Sequence, residues 1–259
     1  MTRPNRIFST DSPKAVKAEK FGYLNAIHYL APATLGGVGD ICPNRSAACT
    51  FLCLGWNSGQ ASMVKDLDAG TNATRESRIA KTRDFMRDRP AYLRRMVREI
   101  DRLIAKANAA GKKLCVRLNG SSDIAWEGIR LDGRTLFDMF PDVQFVDYTK
   151  NPNRFARVLP INYHLTFSRS ETNEAQSLEL LARGVNVAIV FATKDKPATW
   201  NGFTVIDGDA HDLRHLDPRA YAANGMFRGF VVGLTPKGSR AKKDASGFVV
   251  RDVALPLAA

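Results

Sequence analysis

The run Leu114-Cys115-Val116-Arg117-Leu118-Asn119-Gly120-Ser121-Ser122-Asp123 decides how the chain is read. A short apolar segment breaks into a polar cluster of Asn, Gly, Ser and Asp. The same transition recurs four times downstream. Residues 143–146 give way to Asp147-Tyr148-Thr149-Lys150, and residues 163–167 to Ser168-Arg169-Ser170-Glu171. Residues 187–191 give way to Ala192-Thr193-Lys194-Asp195, and residues 204–206 to Asp207-Gly208-Asp209-Ala210-His211-Asp212. Short apolar runs bounded by turn residues read as strands. Six are predicted, at 114–118, 143–148, 162–167, 185–191, 203–206 and 229–234. Helical or looped stretches at 135–140, 153–158 and 174–183 separate them. This alternation predicts an α/β fold of βαβ units around a mostly parallel sheet. Six strands favour a partial (β/α)6 barrel, with an open doubly wound sheet as the rival.

Upstream the period changes. Leu93, Met96, Val97, Ile100, Leu103 and Ile104 recur at helical spacing, and Ile79, Phe85 and Met86 precede them. Pro90 interrupts the stretch with Asp88 two residues before it, as an N-cap stands to a proline in the first turn. Residues 73–110 therefore read as two helices broken near Asp88, with Gly111 as the C′ residue of the second. Residues 21–35 are apolar and predict a short strand or helix on the core. Residues 1–20, interrupted by Pro4, Ser9, Ser12 and Pro13, read as a flexible basic lead. The remainder, 21–259, reads as one α/β domain. It comprises a cysteine loop (36–72), basic helices (73–110), strand–helix repeats (114–235) and a C-terminal loop and strand (236–259), the strand at 248–253.

The chain has 259 residues, 44% of them hydrophobic, enough for one substantial core. No apolar stretch is long enough to span a membrane, and the first residues lack the apolar region of a secretory signal. With only four cysteines, the expected setting is a reducing cytoplasm. Three of the four cysteines, Cys42, Cys49 and Cys53, fall within twelve residues as C-x6-C-x3-C. Clustered thiols in such a compartment point to a shared soft metal centre, either an iron–sulfur cluster or zinc. Zinc needs a fourth protein ligand, for which His28 and Cys115 are the candidates. Cys115 also alternates with Leu114 and Val116 as a small core residue does.

In parallel α/β folds the strand C-termini share one rim, where ligands bind. Asp123, Asp147 and Glu171 are the candidate catalytic acids there. Asn119, Lys150, Arg169, Lys194 and Asp209 are the candidate binding residues. Each also suits an ordinary turn or cap. The net charge of +12 favours a polyanionic or phosphorylated partner, nucleic acid or nucleotide. Arg78, Lys81, Arg94 and Arg98 on the basic helices are candidates for a phosphate-backbone track, or for a solvated outer face.

Three longer runs carry a family resemblance. They are Arg117 through Glu127, Phe140 through Arg154, and Asn162 through Glu171, joined by the cysteine run and by Arg78-Ile79-Ala80-Lys81-Thr82-Arg83. Over roughly residues 21–235 the chain resembles the phage and prophage family called gene product 88. More distantly, the cysteines and Thr149-Lys150-Asn151-Pro152-Asn153-Arg154 are similar to phage proteins that resemble radical S-adenosylmethionine enzymes. That likeness implies a 4Fe–4S cluster held by Cys42, Cys49 and Cys53 at the mouth of a partial barrel, with S-adenosylmethionine on its open iron. The spacing departs from the usual C-x3-C-x2-C, Leu52 stands where an aromatic residue is usual, and the cysteines precede two helices. The expected function is thus an iron–sulfur, radical-SAM-like enzyme acting on a nucleotide or nucleic acid. The alternatives are a zinc or metal-free barrel modifying nucleobases, with Asp123 or Asp147 as nucleophile or base, and a non-enzymatic nucleic-acid-binding accessory protein.

Overall fold

The computed structural model describes residues 6–218, 220–221 and 227–251. In chain order the elements are β1 (Phe8–Ser9), α1 (Pro13–Glu19), β2 (Tyr23–His28), α2 (Ala47–Phe51), α3 (Leu54–Asn57), α4 (Ala73–Arg87) and α5 (Arg89–Ala109). There follow β3 (Lys113–Arg117), α6 (Leu136–Met139), β4 (Gln144–Thr149), β5 (Tyr163–Ser168), α7 (Glu174–Ala182), β6 (Val187–Phe191), β7 (Thr199–Trp200) and β8 (Phe203–Asp207). The last are β9 (Ala220–Tyr221), β10 (Phe227–Arg228), β11 (Val231–Leu234), α8 (Ser239–Lys242) and β12 (Val249–Val250). All six predicted strands form, as β3, β4, β5, β6, β8 and β11, with ends moved by one or two residues. The apolar run at 21–35 supplies a further strand, β2. The predicted final strand is β12, and Val253 lies outside the described residues.

Among the described residues ten strands share one sheet, in the order β1-β2-β3-β4-β5-β6-β11-β8-β7, with β12 also paired to β6. From β2 to β8 every neighbouring pair is parallel. The edges β1 and β7 are antiparallel, and the sheet does not close. From β2 to β6 the order follows the sequence without reversal. β11 then enters between β6 and β8.

Period-two alternation divides the strands between two faces. Leu24, Ala26, Leu114, Val116, Phe145, Tyr163 and Leu165 pack against Leu93, Met96, Ile100 and Leu103 of α5 and against Phe137 of α6. Phe167, Val187, Ile189 and Phe191 pack against Leu180 and Leu181 of α7. The intervening residues face the other way. There Cys115 and Val146 meet Ala18 of α1 and Leu213. Cys115 is fully buried in that patch as a small core side chain.

The break between α4 and α5 falls at Asp88, whose carboxylate accepts from the Ala91 amide at 3.0 Å. Gly111 closes α5 with φ +64°. The lead predicted to be unstructured over 1–20 folds in its described part. Ile7 and Phe8 are buried, and their amides bond the Glu99 carboxylate at 2.9–3.0 Å, so β1 gains both a core contact and a backbone anchor. Residues 1–5 lie outside the described residues.

Candidate functional site

A cavity of about 210 Å³ opens at the C-terminal ends of β3, β4, β5, β6 and β11. Its floor carries Arg117, Tyr148, Lys150, Ser168, Val190 and Leu234. Alternation places these side chains on the face away from α5–α7. Cys42, Cys49 and Cys53 line the same cavity from above, with Leu54 and Gly55. The loop that carries them sits tight on the β3 rim. A Cβ at Gly55 would lie 2.2 Å from the Ser121 Cβ, and one at Gly120 would lie 2.6 Å from the His28 carbonyl. Only glycine permits either approach.

Side chains from other elements hold each cysteine segment. Ser46 caps α2 by accepting from the Cys49 amide at 3.1 Å. Glu171 accepts from Ser46 Oγ at 2.8 Å and from the Ala48 amide at 3.0 Å. Cys53 is the hinge between α2 and α3. Behind the loop, α4 satisfies carbonyls that no sheet or helix reaches. Arg75 donates to Ala61 at 2.8 Å, to Leu67 at 3.0 Å, to Trp56 at 3.1 Å and also to Gly70. Arg78 donates to the Gly55 carbonyl and lies over the Tyr29 ring, and Arg83 donates to Gly36 at 2.9 Å. A long irregular loop leaves backbone acceptors unpaired, and the guanidinium fork supplies several donors at once.

Burial pushes the Cys42 thiol up to about 12 and the Cys53 thiol up to about 11. Neighbouring Cys49 adds to both shifts. For Cys42 a hydrogen bond from the Ala33 amide at 3.4 Å opposes the shift. For Cys53 the Gly55 amide, Arg78 and Lys150 oppose it. Without a ligand these two sulfurs are protonated at neutral pH, so a metal centre would release protons on binding. Backbone N–H groups directed at two of three sulfurs fit a thiolate-held cluster, whose properties such bonds tune.

The two candidates for a fourth zinc ligand lie elsewhere. His28 is buried between the Leu118 carbonyl at 3.0 Å and the Tyr92 hydroxyl at 2.8 Å, and burial pushes its pKa down to about 3. Cys115 lies in the core. Among the described residues no group of three or more His, Cys, Asp or Glu side chains is gathered to hold a metal ion.

Of the rim residues read from the sequence, Asn119, Asp123 and Lys150 line the cavity. Asp123 accepts from the Lys150 amide at 2.9 Å and from Arg154 at 3.4 Å, and Arg154 also grips Glu127 at 2.6 and 2.8 Å. Asp147 does not line the cavity, because alternation turns it to the helix face while Tyr148 and Lys150 turn inward. There it is fully buried and accepts from the Asn119 amide at 2.7 Å and the Tyr163 hydroxyl at 3.0 Å. Burial raises its pKa to about 7 against these bonds and the charges of Arg117 and Arg154. Glu171 braces α2 rather than facing the cavity. Arg169 pairs with Glu174 at 2.6 Å and donates to the Gly247 carbonyl at 2.7 Å. Lys194 is exposed and apart from the cavity. Asp209 lies just outside, taking Lys237 at 2.9 Å, Lys196 at 3.2 Å and the Thr235 amide at 2.8 Å. Burial raises the Asp209 carboxyl, but Lys237 and Thr235 overcome it and hold it down at about 2.

The four candidates for a nucleic-acid track do not gather. Arg78 turns inward to the loop. Lys81 is buried with Nζ 3.4 Å from the Ile7 carbonyl, and burial lowers its pKa to about 8. Arg94 and Arg98 stay exposed on α5.

Sequence reasoning missed Arg117, Tyr148, Ser168, Lys237 and Phe248, all of which line the cavity. The signal for the first three was present. Once Cys115 and Val146 are assigned to the face opposite the helices, period two sends Arg117, Tyr148 and then Ser168 to that face. Nothing in the local pattern marks Lys237 or Phe248, which arrive on a C-terminal strap.

These features define an α/β protein with a mostly parallel sheet and, at its strand C-termini, a thiol-lined, mostly apolar cavity that also carries basic side chains. A family model described as Gene product 88 matches residues 6–252, and the chain belongs to that family. No curated protein and no solved structure matches the chain. No helix among the described residues is long and apolar enough to cross a membrane.

Proposed function

We propose that the protein is an iron–sulfur enzyme of radical-SAM-like build that acts on a nucleotide or nucleic-acid substrate. The observation that carries this reading is the convergence of Cys42, Cys49 and Cys53 on one cavity at the C-terminal ends of parallel strands. In this reading the three thiolates hold a 4Fe–4S cluster. When bound, the cluster would supply one-electron reduction of S-adenosylmethionine. The chain's own groups then orient and shelter the reactants. Asp123 presents a fixed carboxylate beside the thiols, Lys150 presents a cation, and Val190, Leu234 and Phe248 form a drier wall. The unreversed strand order from β2 to β6, with α5–α7 on one face, favours a partial barrel over a doubly wound sheet. The insertion of β11 before β8 departs from a simple (β/α)6 order.

Anaerobic purification and reconstitution with iron and sulfide test the proposal. The expected product is coloured protein with about four irons per chain, with reductive cleavage of S-adenosylmethionine, and serine at any of the three cysteines lowers the iron bound. Stoichiometric zinc, or protein that stays colourless, overturns it. Among the described residues Asp123 is the one carboxylate lining the cavity, and it supports the second reading, a metal-free enzyme using Asp123 as base or nucleophile. Activity retained in air and lost in Asp123→Asn would favour that reading.

A further inference from the structure

We infer that Lys150 and Ser168 form an oxyanion anchor in the cavity, and that its occupant is one small anionic molecule rather than a nucleic-acid strand. The inference deepens the proposed function and rests on it for the chemistry at the thiols, while the anchor itself can be measured without a cluster.

The charges around the cavity single out Lys150. Among the described residues four cations line it, Arg45, Arg117, Lys150 and Lys237, against the single carboxylate Asp123. Three of the four already have a carboxylate partner. Arg45 pairs with Asp40, Arg117 with Asp212 at 2.9 Å and Lys237 with Asp209 at 2.9 Å. Asp123 is itself engaged by Arg154 and by the Lys150 amide. The Lys150 ammonium instead donates to Ser168 Oγ at 2.6 Å and lies 5.2 Å from the Phe248 ring centroid. No carboxylate among the described residues pairs with it. An ammonium carries three donors, so donors remain for a ligand, and Ser168 keeps its own hydroxyl proton to give. Ala188, Val190, Leu234, Pro236 and Phe248 continue from this point as an apolar wall. An oxyanion attached to a planar or apolar body fits that sequence of surfaces.

The mouth of the cavity argues against a polymer. The strap from Thr235 to Val250 crosses the rim and touches the cysteine loop. Arg240 pairs with Asp68 at 2.6 Å and covers the Phe51 ring, and a Cβ at Gly238 would lie 2.4 Å from the Asn57 carbonyl. At its far end β12 joins β6, and Arg169 holds the Gly247 and Phe248 carbonyls. A strand threaded past the thiols would have to part these contacts. Arg75, Arg78 and Arg83 of α4 are spent on loop carbonyls.

Equilibrium binding to the full chain, as purified and as the Cys42→Ser/Cys49→Ser/Cys53→Ser variant, tests the anchor. The probes are adenosine 5′-monophosphate, S-adenosylmethionine, neutral adenosine and a single-stranded oligonucleotide. The phosphate and carboxylate probes distinguish the two sources of the oxyanion. The expected result is that Lys150→Met weakens one or both anionic probes about 10- to 100-fold, as loss of a charge-assisted hydrogen bond does. Lys150→Arg retains most of that affinity. Adenosine binding is unchanged in Lys150→Met, which also shows that the variant folds. The oligonucleotide fails to displace the mononucleotide. Equal binding of anionic probes by wild type and Lys150→Met, no binding of either anionic probe, or displacement by the oligonucleotide would overturn the inference. A colourless but anion-binding protein would overturn the cluster and leave the anchor standing.

Discussion

Replacing Arg75 by Met tests whether the basic helix serves the cysteine loop or an external polyanion. Arg75 has no exposed surface, lies over the Trp56 ring and donates to four carbonyls between Trp56 and Gly70. Methionine keeps much of the apolar volume and removes every donor. The Ala61 carbonyl belongs to a fully buried residue, so losing its partner costs the full desolvation penalty, about 1–3 kcal/mol. The other three carbonyls belong to half-buried residues that water reaches after small movements, and each loses roughly 0.5–1.5 kcal/mol. The expected destabilisation is about 5 kcal/mol, or a fall in Tm of about 15 °C for a domain of this size. Hydrogen exchange should accelerate first across residues 56–70, before the sheet opens. The control is Arg94→Met on the exposed side of α5, expected within about 0.5 kcal/mol of wild type. Thermal and denaturant unfolding with site-resolved exchange measure both. If Arg75→Met costs less than about 1 kcal/mol, or matches Arg94→Met, the clamp does not hold the loop.

Arg154→Met should cost about 3–5 kcal/mol, because it strands the largely buried carboxylates of Glu127 and Asp123 without their cation; urea unfolding that shows a loss within error of zero would contradict this. Asp147 gives a pH dependence of defined sign. Its folded pKa of about 7 lies above the ordinary 3.8, so the folded state holds the proton more tightly. That contribution is fully present below about pH 4, falls as pH rises to about 7, and is flat beyond. Asp147→Asn should remove the slope, and parallel wild-type and variant stability profiles across that window would show that another group is responsible.

How much of this was legible depends on which residues act through local pattern and which through distant partners. The strands were legible because apolar runs such as 187–191 end at polar turns, and α5 because Leu93, Met96, Ile100 and Leu103 keep one period. The Asp88 break followed from Pro90. The residues around the cavity were only half legible. Asn119, Asp123 and Lys150 stand at strand ends and were found there. Asp147, one pleat away from Lys150, looks equivalent in sequence and is turned to the opposite face. Glu171 and Arg169 read as rim acids and cations, yet their partners are Ser46, Ala48, Glu174 and the strap carbonyls. For Glu171 and for the strap no local rule reveals the pairing, because it depends on where a loop distant in sequence comes to rest. The arginines of α4 misled for the same reason. Their charge was visible, but the loop carbonyls that consume it were not.

The placement of β11 between β6 and β8 has a consequence for how the chain emerges from the ribosome. β6 can pair with β5 as soon as both exist, but the lasting neighbour on its other side is encoded some forty residues later. Until β11 arrives, a run of Val, Ala, Ile, Val and Phe presents unpaired backbone to the surroundings. Exposed apolar edges of this kind recruit foreign strands. A nascent chain that stalls between β8 and β11 is therefore exposed to aggregation through this edge.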